Sequence, residues 1–428
     1  MLKVYKFGGA SVKDADAVRN VAAIIKKYAP WKLVVVVSAM GKTTNALEKV
    51  LNAWYAGDES AFQLANEVIL YHQQIIETLF LQKQHPVYFK TDLLFGELEG
   101  YISSPPSLNY DYNYDQLVSL GELISSTIIS EYLVQEGLNC AFADARELIR
   151  TDSTWREGRV NWETTCSQIR EKTFIKQAYS ETSQQIILTQ GFIGSTAQGE
   201  TTTLGREGSD YTASIFSFAL DAEEITVWKD VPGLLNADPK YFSVTRRLDS
   251  ISYREAIELS YYGATVIHPK TIKPLQNKNI PLRIKSFVDP ENEGSLIHND
   301  TSADSLIPSF IFKVDQVLIS IIPRDFSFID ELSLSEILAV FAQNSIHISL
   351  MQNSAISFSV CVDYNEKKIN SLLNELKKDF KIRYNTGLEL ITIRHYDLAT
   401  IDRIMEDRKT ILLEMRSRLT AQFVARPL

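Results

Sequence analysis

The sequence predicts an α/β protein with a mostly parallel sheet, followed by a smaller α+β region with a different pattern. Strand-like and helical segments alternate over roughly the first 290 residues, as in parallel sheets joined by crossover helices. Residues 33–37 are apolar throughout, as expected of a strand that is buried on both faces. Beyond a polar stretch at 289–308, the order becomes strand, helix, strand, strand, helix, strand, which is typical of ferredoxin-like folds.

The composition limits the kinds of protein this chain can be. A length of 428 residues exceeds one ordinary core, so we expect about two to three domains. A net charge of −9 without a Lys/Arg-dense run argues against nucleic-acid and membrane partners. The three cysteines are scattered, and we find neither a signal peptide nor an apolar stretch of membrane-span length. We therefore expect a cytoplasmic protein with reduced thiols.

The first element is a strand at 2–7 that ends in a glycine turn. Gly8 and Gly9 follow it, and residues 15–28 then have helical apolar spacing. A strand, a glycine turn and a helix together can cradle a phosphate. Lys6 falls at the carboxyl end of the strand, where open α/β sheets bind ligands, although a surface lysine beside an ordinary turn would look the same.

The strand at 33–37 leads into Gly41-Lys42-Thr43, which resembles the end of a P-loop. A P-loop needs a glycine five positions before Gly41, and Val36 stands there. We therefore predict no P-loop. Thr44 is interpreted instead as the cap of a helix over 45–56, with its hydroxyl facing the pocket.

The next segments predict a long helix at 58–84, a loop or lid at 103–115 and a helix at 114–135. Glu122 lies among apolar residues near the head of the last of these. A carboxylate in that setting either has a partner in the core or faces a cationic ligand. A further helix is predicted at 163–178.

Residues 201–213 carry the densest functional signal. Two glycines flank Arg206 and Glu207, and they allow the backbone to approach a ligand closely. The amides that open the following helix, predicted at 211–219, suit anionic oxygens, and Arg206 offers a planar fork for a carboxylate or phosphate. Asp210 lies at the helix start, where it could act on a metal or on cationic side chains. The alternative is a glycine-rich turn with a capping aspartate.

A strand at 225–228 ends in Lys229-Asp230 and is followed by a Pro-Gly turn and an Asp-Pro turn before Lys240. A charged pair at a strand end followed by two turns suits a loop that holds a nucleotide. The polar stretch at 289–308 is the predicted linker. We predict three domains, at 1–297, 309–386 and 387–428, the last a second ferredoxin-like copy that stops halfway, with a strand at 388–393, a helix at 401–416 and a strand at 419–425.

Together these motifs make the chain resemble an aspartate kinase of the amino-acid-kinase superfamily with a C-terminal ACT regulatory region. The resemblance runs along the whole chain, and its specificity comes from the order of the motifs. They are Lys6-Phe7-Gly8-Gly9-Ala10-Ser11-Val12, Ser119-Leu120-Gly121-Glu122, Gln190-Gly191-Phe192-Ile193-Gly194, residues 203–210, Asp230-Val231-Pro232-Gly233 with Ala237-Asp238-Pro239, and Gly263-Ala264-Thr265-Val266-Ile267-His268-Pro269. The resemblance implies a three-layer α/β/α sandwich followed by a ferredoxin-like ACT region.

The resemblance also implies an activity. Aspartate kinases use ATP and Mg²⁺ to phosphorylate the side-chain carboxylate of L-aspartate, the first step towards lysine, threonine and methionine. Because the nucleophile is already an anion, no general base is needed. The chemical problem is to hold two anions together and to neutralise the transferring phosphoryl group.

The implied roles fall into four groups. Lys6 and Asp210 are the expected catalytic residues, with Asp210 orienting the cationic groups or the magnesium shell. Magnesium would be carried by the ATP phosphates without a direct protein ligand. The expected ATP contacts are Lys6, Gly8, Gly9, Lys229, Asp230, Leu235, Lys240 and Thr265; the substrate contacts are Thr44, Glu122, Arg206 and Ser209; and the candidate effector contacts are Ser349, Asn353 and Ser354.

Several positions depart from the family pattern. Ala10 stands where the family usually has Thr, Glu207 where it has Gly, Leu235 where it has Tyr, and Thr265 where it has a phosphate-contacting Lys. We expect Lys270 or Lys229 to supply the charge missing at Thr265. The effector strand lacks the acidic residues that usually meet a lysine ammonium, so the feedback effector stays open. Open strand edges in the ACT region favour a homodimer.

Two other functions fit parts of the sequence. The chain could be a superfamily member that acts on glutamate, acetylglutamate, carbamate or a nucleotide, but the ACT tail and the loop around Arg206 argue against this. It could also be a catalytically weak amino-acid sensor, which Glu207 and Thr265 favour. The length argues against a fused dehydrogenase half, and no GxGxxG unit follows the ACT region.

Overall fold

The computed structural model describes residues 2–173, 185–242, 244–264, 267–325, 327–405 and 410–427. The chain divides into two compact units. The first comprises Met1–Leu234, Asp249–Ile257 and Val266–Thr301, and the second comprises Leu235–Leu248, Glu258–Thr265 and Ser302–Leu428. The three predicted domain ranges stay a prediction.

The first unit is built on a mostly parallel sheet. Its described strands are β1 (Leu2–Phe7), β2 (Lys32–Val37), β3 (Cys140–Phe142), β4 (Gln185–Gln190), β5 (Ile193–Ser195), β6 (Thr201–Thr203), β7 (Glu224–Lys229), β8 (Ser250–Ser252), β9 (Leu282–Ser286) and β10 (Ser295–His298). Eight of these form one sheet in the order β3-β4-β2-β1-β7-β9-β10-β8, in which only β9 and β10 are antiparallel neighbours among the described pairs. β5 and β6 form a separate antiparallel hairpin.

The apolar residues of the central strands explain why the sheet is buried. Every residue at 33–37 of β2 is fully buried, as the continuous apolar run predicts. Helices cover the sheet, with α6 against β2, β3 and β4, and α9 against β1, β2 and β7. The helices up to residue 278 are α1 (Ala15–Tyr28), α2 (Thr43–Tyr55), α3 (Ser60–Leu79), α4 (Pro86–Ser103), α5 (Tyr110–Val118), α6 (Leu120–Gln135), α7 (Ala145–Leu148), α8 (Trp162–Lys172), α9 (Gly208–Ala219), α10 (Tyr253–Tyr262) and α11 (Pro269–Lys278).

Several predicted elements were wrong in their bounds. The predicted lid at 103–115 is only a short loop between α4 and α5, because Asn109 caps α5 with its side chain and starts a helix there. Thr44 is not the helix cap; it lies in the first turn of α2, which begins one residue earlier, at Thr43. The last part of the helix predicted at 163–178 falls outside the described residues, and the predicted linker contains β10.

One described helical stretch, Tyr110–Gln135, is long and apolar enough to cross a membrane by these two criteria alone. We predicted that no stretch would approach this length. Its most apolar window is 83% buried inside the protein, as is usual for a core helix.

The second unit is built on an antiparallel sheet with two unusually long central strands. Its described elements after residue 308 are β11 (Ser309–Pro323), α12 (Glu331–Gln343), β12 (Ile348–Asn353), β13 (Phe358–Asp363), α13 (Glu366–Leu376), β14 (Phe380–Arg394), α14 (Leu398–Met405), β15 (Thr410–Arg416) and β16 (Thr420–Arg426). The strand order is β12-β13-β11-β14-β16-β15. β11 and β14 pair along their whole lengths, with register shifts around Gln316.

The long strands connect the two ferredoxin-like copies. The second part of β11 and the first part of β14 pack with α12 and α13 around one apolar core. The first part of β11 pairs with the second part of β14, which also pairs with β16, and this half has its own core with α14. The strand that 387–428 lacks is therefore supplied by residues 309–313. The helix predicted at 401–416 was wrong from Thr410 onward, since β15 occupies that part, and residues 406–409 lie outside the described residues.

Candidate active site

A cavity of about 980 Å³ opens in the first unit at the carboxyl ends of its central strands. Lys6, Arg206 and Asp210, which the sequence placed in one site, all line it. Its full lining is Lys6, Ser38, Thr44, Asn45, Asp111, Tyr114, Glu122, Thr154, Trp155, Arg156, Glu157, Phe192, Gly205, Arg206, Glu207, Gly208, Ser209, Asp210 and Lys229. The structure thus brings together seven of the predicted site residues: Lys6, Thr44, Glu122, Arg206, Ser209, Asp210 and Lys229.

Two lysines and one buried aspartate lie together in the cavity lining. Lys6 and Lys229 lie near the ends of β1 and β7, which are parallel neighbours with Lys6 in register with Val227. Asp210 is in the first turn of α9, with its Oδ1 2.5 Å from Lys6 Nζ and its Oδ2 3.7 Å from Lys229 Nζ. Burial alone would raise the pKa of Asp210, but the charges of Lys6 and Lys229 outweigh it and hold the pKa below its ordinary value. The carboxylate therefore stays ionised and fixes both ammonium groups.

The glycine turn after β1 lies beside this group. A Cβ on Gly8 would lie 3.4 Å from Lys6 Nζ. A Cβ on Gly9 would lie 2.7 Å from the carbonyl oxygen of Gly41, so no other residue fits without moving the backbone. The turn can therefore present bare backbone next to the lysine ammonium.

The loop before α9 forms one wall of the cavity. Gly191 is required here, because a Cβ on it would lie 2.4 Å from the Cβ of Ser209. Phe192 is fixed in turn, since its amide donates to Thr212 Oγ1 at 3.0 Å. Arg206 is exposed in the cavity wall. Glu207, the residue before the helix, has a left-handed φ of 54°, and its Oε2 is buried with no hydrogen-bond partner among the described residues.

Glu122 also lines the cavity and is 2% exposed. Its Oε1 accepts a hydrogen bond from the amide of Ala39 at 3.3 Å, and its Oε2 has no hydrogen-bond partner among the described residues. Burial raises the pKa of Glu122 to about 8, against the smaller opposing effects of the Ala39 amide and Lys6. A buried carboxylate oxygen without a partner, facing a cavity, suits a cationic ligand group.

Sequence reasoning missed the outer rim of the cavity. Asp111 and Tyr114 of α5, and Trp155, Arg156 and Glu157 of the loop after β3 and α7, all line it. The sequence predicted no site residue in that loop, and it placed Asp111 and Tyr114 in a loop or lid at 103–115. The rim forms through contacts between residues distant in the chain, such as Arg156 with Asp111, which are 45 positions apart, and these contacts have no local pattern.

Other predicted nucleotide contacts are not in the cavity lining. Asp230 follows β7 and is exposed. Leu235 and Lys240 belong to the second unit, where Leu235 bridges to Arg247 and the Lys240 amide donates to Asp238 Oδ1 at 2.9 Å. Thr265 lies outside the described residues. The roles of these four residues stay predictions.

Lys270 and Lys229, the two lysines proposed to replace the charge missing at Thr265, differ in position. Lys229 lines the cavity and contacts Asp210. Lys270 is not part of the lining, and its Nζ donates to the carbonyl oxygen of Leu204 at 3.4 Å. The geometry favours Lys229 for this role.

The candidate effector residues lie along β12 in the second unit. Ser349 accepts a hydrogen bond from Lys313 Nζ at 3.0 Å. Ser354 follows the other end of the strand, is exposed, and is hydrogen-bonded to Ser357 of its own turn. Asn353 is the exposed last residue of the strand. Binding of an effector by these residues stays a prediction.

Within the ranges that the structure describes, no three His, Cys, Asp or Glu side chains are grouped so as to hold a metal ion. The expectation that magnesium is carried by ATP phosphates stays a prediction.

A parallel sheet whose strand ends carry a lysine pair and a helix amino terminus in one cavity, with a glycine turn beside the lysines, suits the binding of phosphate groups. The family model described as "Amino acid kinase family" matches residues 1–286. The lysine-sensitive aspartokinase 3 of Escherichia coli is 30% identical over 408 residues, which cover 92% of this chain and 87% of that protein. The chain therefore belongs to the amino acid kinase family and, within it, to the aspartokinases.

Other relatives agree with this assignment. The chloroplastic bifunctional aspartokinase/homoserine dehydrogenase 1 of Arabidopsis thaliana is 28% identical over 413 residues, which are 88% of this chain and 42% of that protein. The crystal structure of E. coli aspartokinase III in complex with aspartate and ADP matches with a TM-score of 0.82 at 26% identity, covering 100% of this chain and 96% of that one. The same enzyme in complex with lysine and aspartate, in the T-state, gives a TM-score of 0.81. The predicted sandwich and ACT region are confirmed.

Proposed function

We propose that this chain transfers the γ-phosphoryl group of ATP to the β-carboxylate of L-aspartate, giving 4-phospho-L-aspartate and ADP. The proposal rests on one observation above all: a single cavity holds the Lys6–Asp210–Lys229 group and the unpartnered oxygen of Glu122. The similar E. coli enzyme was crystallised with aspartate and ADP, which supports the choice of both ligands. The reaction would open the synthesis of lysine, threonine and methionine in the cytoplasm.

The phosphate end of the cavity would act mainly by electrostatics. Lys6 and Lys229 bring two positive charges against the single negative charge of Asp210, which leaves one excess positive charge for the phosphates. The bare turn at Gly8 and Gly9 would add backbone amides beside Lys6. Magnesium bound to the ATP phosphates would neutralise further charge on the transferring group.

The amino-acid end would orient the nucleophile. The Glu122 oxygen without a partner would accept the substrate ammonium, and Arg206 would bind the α-carboxylate. Thr44 and Ser209 also line the cavity and would position the substrate. The β-carboxylate would then face the phosphate end.

The chemical step needs no base from the protein. A β-carboxylate oxygen forms a bond to the γ-phosphorus while the bond from that phosphorus to the β,γ-bridging oxygen breaks, and ADP leaves with the electron pair. No proton is transferred. The protein's part is to hold two anions in line and to stabilise the charge on the moving phosphoryl group.

The direct test is an ATP-dependent hydroxamate assay, in which hydroxylamine traps an acyl phosphate. L-Aspartate should give hydroxamate only with MgATP, whereas glutamate and N-acetylglutamate should give little. Repeating the assay with lysine and with threonine would identify a feedback effector. Product from glutamate but not from aspartate would refute the proposed substrate.

Glu207 favours a second candidate, a catalytically weak amino-acid sensor. Its buried oxygen without a partner adds a negative charge to the wall of a cavity that would bind phosphates. Calorimetric binding of L-aspartate by a protein that forms no hydroxamate would support this candidate over the kinase.

We also propose that the chain forms a homodimer through its ACT region. β12 and β15 are the outer strands of the six-stranded sheet, and exposed strand edges pair readily with other strands. Light scattering of the intact chain should give twice the monomer mass, and a monomer at micromolar concentration would refute the proposal.

A further inference from the structure

Arg156 lies at the rim of the active-site cavity and has no assigned role. It belongs to a loop at 151–160 that folds back on itself, since Thr151 pairs with Val160 in an antiparallel bridge. The amides of Thr154 and Arg159 both donate to Asp152 Oδ1 at 3.0 Å, which closes the loop from inside. The loop is therefore a built feature with its own hydrogen bonds.

The loop is also fixed to the protein core. The amide of Gly158 donates to the carbonyl oxygen of Thr203 at 2.8 Å. Trp155 packs edge-on against Tyr112, with ring centroids 5.0 Å apart. The loop thus packs against α5 and against β6, which is the strand that leads into the Arg206 loop.

A buried aspartate sets the backbone of Arg156. Asp115 is fully buried; its Oδ2 accepts the Arg156 amide at 3.0 Å, and its Oδ1 accepts the Thr203 hydroxyl at 2.6 Å. Arg156 has a φ of 65°, a left-handed conformation that residues other than glycine rarely adopt. Residues held in such conformations by their surroundings are concentrated at functional sites.

The guanidinium of Arg156 is oriented but only weakly paired. It lies over the Tyr114 ring, 4.3 Å from the centroid, and its Nη1 is 3.3 Å from Asp111 Oδ1. The two side chains are 46% and 53% exposed, and an ion pair that is so exposed contributes little. A carboxylate that arrives in the cavity could therefore replace Asp111 at small cost, while the stacking on Tyr114 keeps the guanidinium in place.

The position of Tyr114 indicates which ligand group Arg156 would meet. The Tyr114 hydroxyl donates to Glu48 Oε1 at 2.9 Å, and Glu48 lies one turn beyond Thr44 on α2. Both Arg156 and Glu122 are close enough to shift the pKa of Tyr114, in opposite directions, although burial is the largest influence on it. Arg156 and Tyr114 thus line the same cavity as Thr44 and Glu122, the proposed substrate contacts.

We propose that Arg156 is a second guanidinium for the α-carboxylate of the substrate, with Asp111 occupying that place when no substrate is bound. This rests on the proposed function, because the α-carboxylate is attached to the same carbon as the ammonium that Glu122 would hold. Arg156 and Arg206 would then share the two carboxylate oxygens. Arg156 makes the site specific for an amino acid that carries an α-carboxylate.

The experiment compares three variants of the full-length protein in the hydroxamate assay with L-aspartate and MgATP. Arg156→Gln should raise KM for L-aspartate about tenfold, as expected for a lost hydrogen bond to a charged group. KM for ATP and kcat should change by less than about twofold, because the contact is equally strong in the ground and transition states. Arg159→Gln is the matched control, since Arg159 is an exposed arginine of the same loop outside the cavity lining, and it should behave like the unmodified protein.

Asp111→Asn separates ligand binding from a structural role. If Asp111 competes with substrate for Arg156, the variant should lower KM for L-aspartate. If the pair merely holds the rim together, Asp111→Asn should raise KM as Arg156→Gln does, and this result would overturn the proposal. β-Alanine, which is aspartate without the α-carboxylate, gives a second readout: Arg156→Gln should leave its poor kcat/KM unchanged while lowering that of aspartate.

The two proposals fail in different ways. No hydroxamate from the unmodified protein would refute the proposed function and with it the role of Arg156. An active protein whose KM for L-aspartate is unaffected by Arg156→Gln would refute the role of Arg156 alone.

Discussion

Two buried carboxylates line the cavity, one in each of its two proposed binding ends, and they differ in how their charge is balanced. Asp210, 3% exposed, contacts two lysines, and its pKa is held below the ordinary value. Glu122, 2% exposed, has an oxygen without a hydrogen-bond partner in the described part of the chain, and its pKa is raised to about 8. The protein itself balances the first charge and leaves the second for a ligand.

This difference shows which end of the site is preorganised. Charges that are fixed before substrate arrives cost no reorganisation during the reaction, so the lysine pair is suited to stabilising a transition state. A carboxylate that lacks a partner gains its favourable interaction only when a cation binds, so Glu122 is suited to substrate binding. The two ends should therefore respond differently to mutation, in kcat at one end and in KM at the other.

Loss of Lys6 should have the largest effect. Lys6→Met should lower kcat by about 100- to 1000-fold, because it removes charge stabilisation of the phosphoryl group and leaves Asp210 with one lysine. Steady-state kinetics with saturating aspartate would measure it. Lys3→Met is the control, since Lys3 is on the same strand but pairs with Glu224. A Lys6 variant with normal kcat would show that the lysine pair is not the phosphate end.

Loss of the Glu122 charge should act on the other kinetic constant. Glu122→Gln keeps the shape but removes the charge, and it should raise KM for L-aspartate by about 10- to 100-fold. The kcat at saturation should change much less. A fall in kcat with an unchanged KM would contradict the division of the cavity into two ends.

The raised pKa of Glu122 also predicts a pH dependence. Below about pH 8 the empty site holds a protonated, neutral Glu122, so binding of a substrate ammonium must release that proton. The kcat/KM for aspartate should therefore rise with pH, up to about tenfold per pH unit, and level off above about pH 8. Glu122→Gln should abolish this dependence, and a pH profile identical in both proteins would exclude Glu122 as its source.

Lys229 should contribute less than Lys6, because it is farther from Asp210 and more exposed. Lys229→Met should raise KM for ATP or lower kcat by roughly tenfold, as for one charge-assisted contact. Lys270→Met should have little effect, because Lys270 contacts a backbone carbonyl outside the cavity lining. The reverse result would assign the compensating charge to Lys270.

The smallest effect is expected at Glu207. Glu207→Gly removes a negative charge from the wall of the cavity that would bind ATP and should lower KM for ATP a few-fold. It should also stabilise the fold by about 1 kcal/mol or less, because glycine adopts the left-handed φ of 54° without steric cost. Thermal unfolding would measure the second effect, and a destabilised variant would show that the Glu207 side chain contributes to the loop.

The sequence predicted the phosphate end of the cavity well because the signals there are local. A strand, a glycine turn and a helix place Lys6 at the carboxyl edge of a parallel sheet, and Asp210 in the first turn of α9 follows from one loop. The choice between Lys229 and Lys270 could not be predicted, because it depends on which lysine lies beside Asp210 in space. Arg156 was missed for the same reason, since Asp111 and Asp115 are distant in sequence.

The C-terminal region shows where local patterns mislead. The second copy was predicted to begin with a strand at 388–393, yet that segment is the later part of β14, which runs through Gly387 (φ 65°) beside a register shift in its pairing with β11. The apolar residues at 411–413 extended a helical pattern that ends at Met405, whereas pairing with β16 makes them a strand. Long-range pairing outweighed local spacing at both places.

The most direct test is a crystal structure of the protein with L-aspartate and a non-hydrolysable ATP analogue. The account predicts the substrate ammonium within hydrogen-bond distance of Glu122 Oε2 and the γ-phosphate on Lys6 and Lys229, with a β-carboxylate oxygen about 3 to 3.5 Å from the γ-phosphorus. Aspartate bound with its ammonium away from Glu122, or phosphates bound away from both lysines, would contradict it.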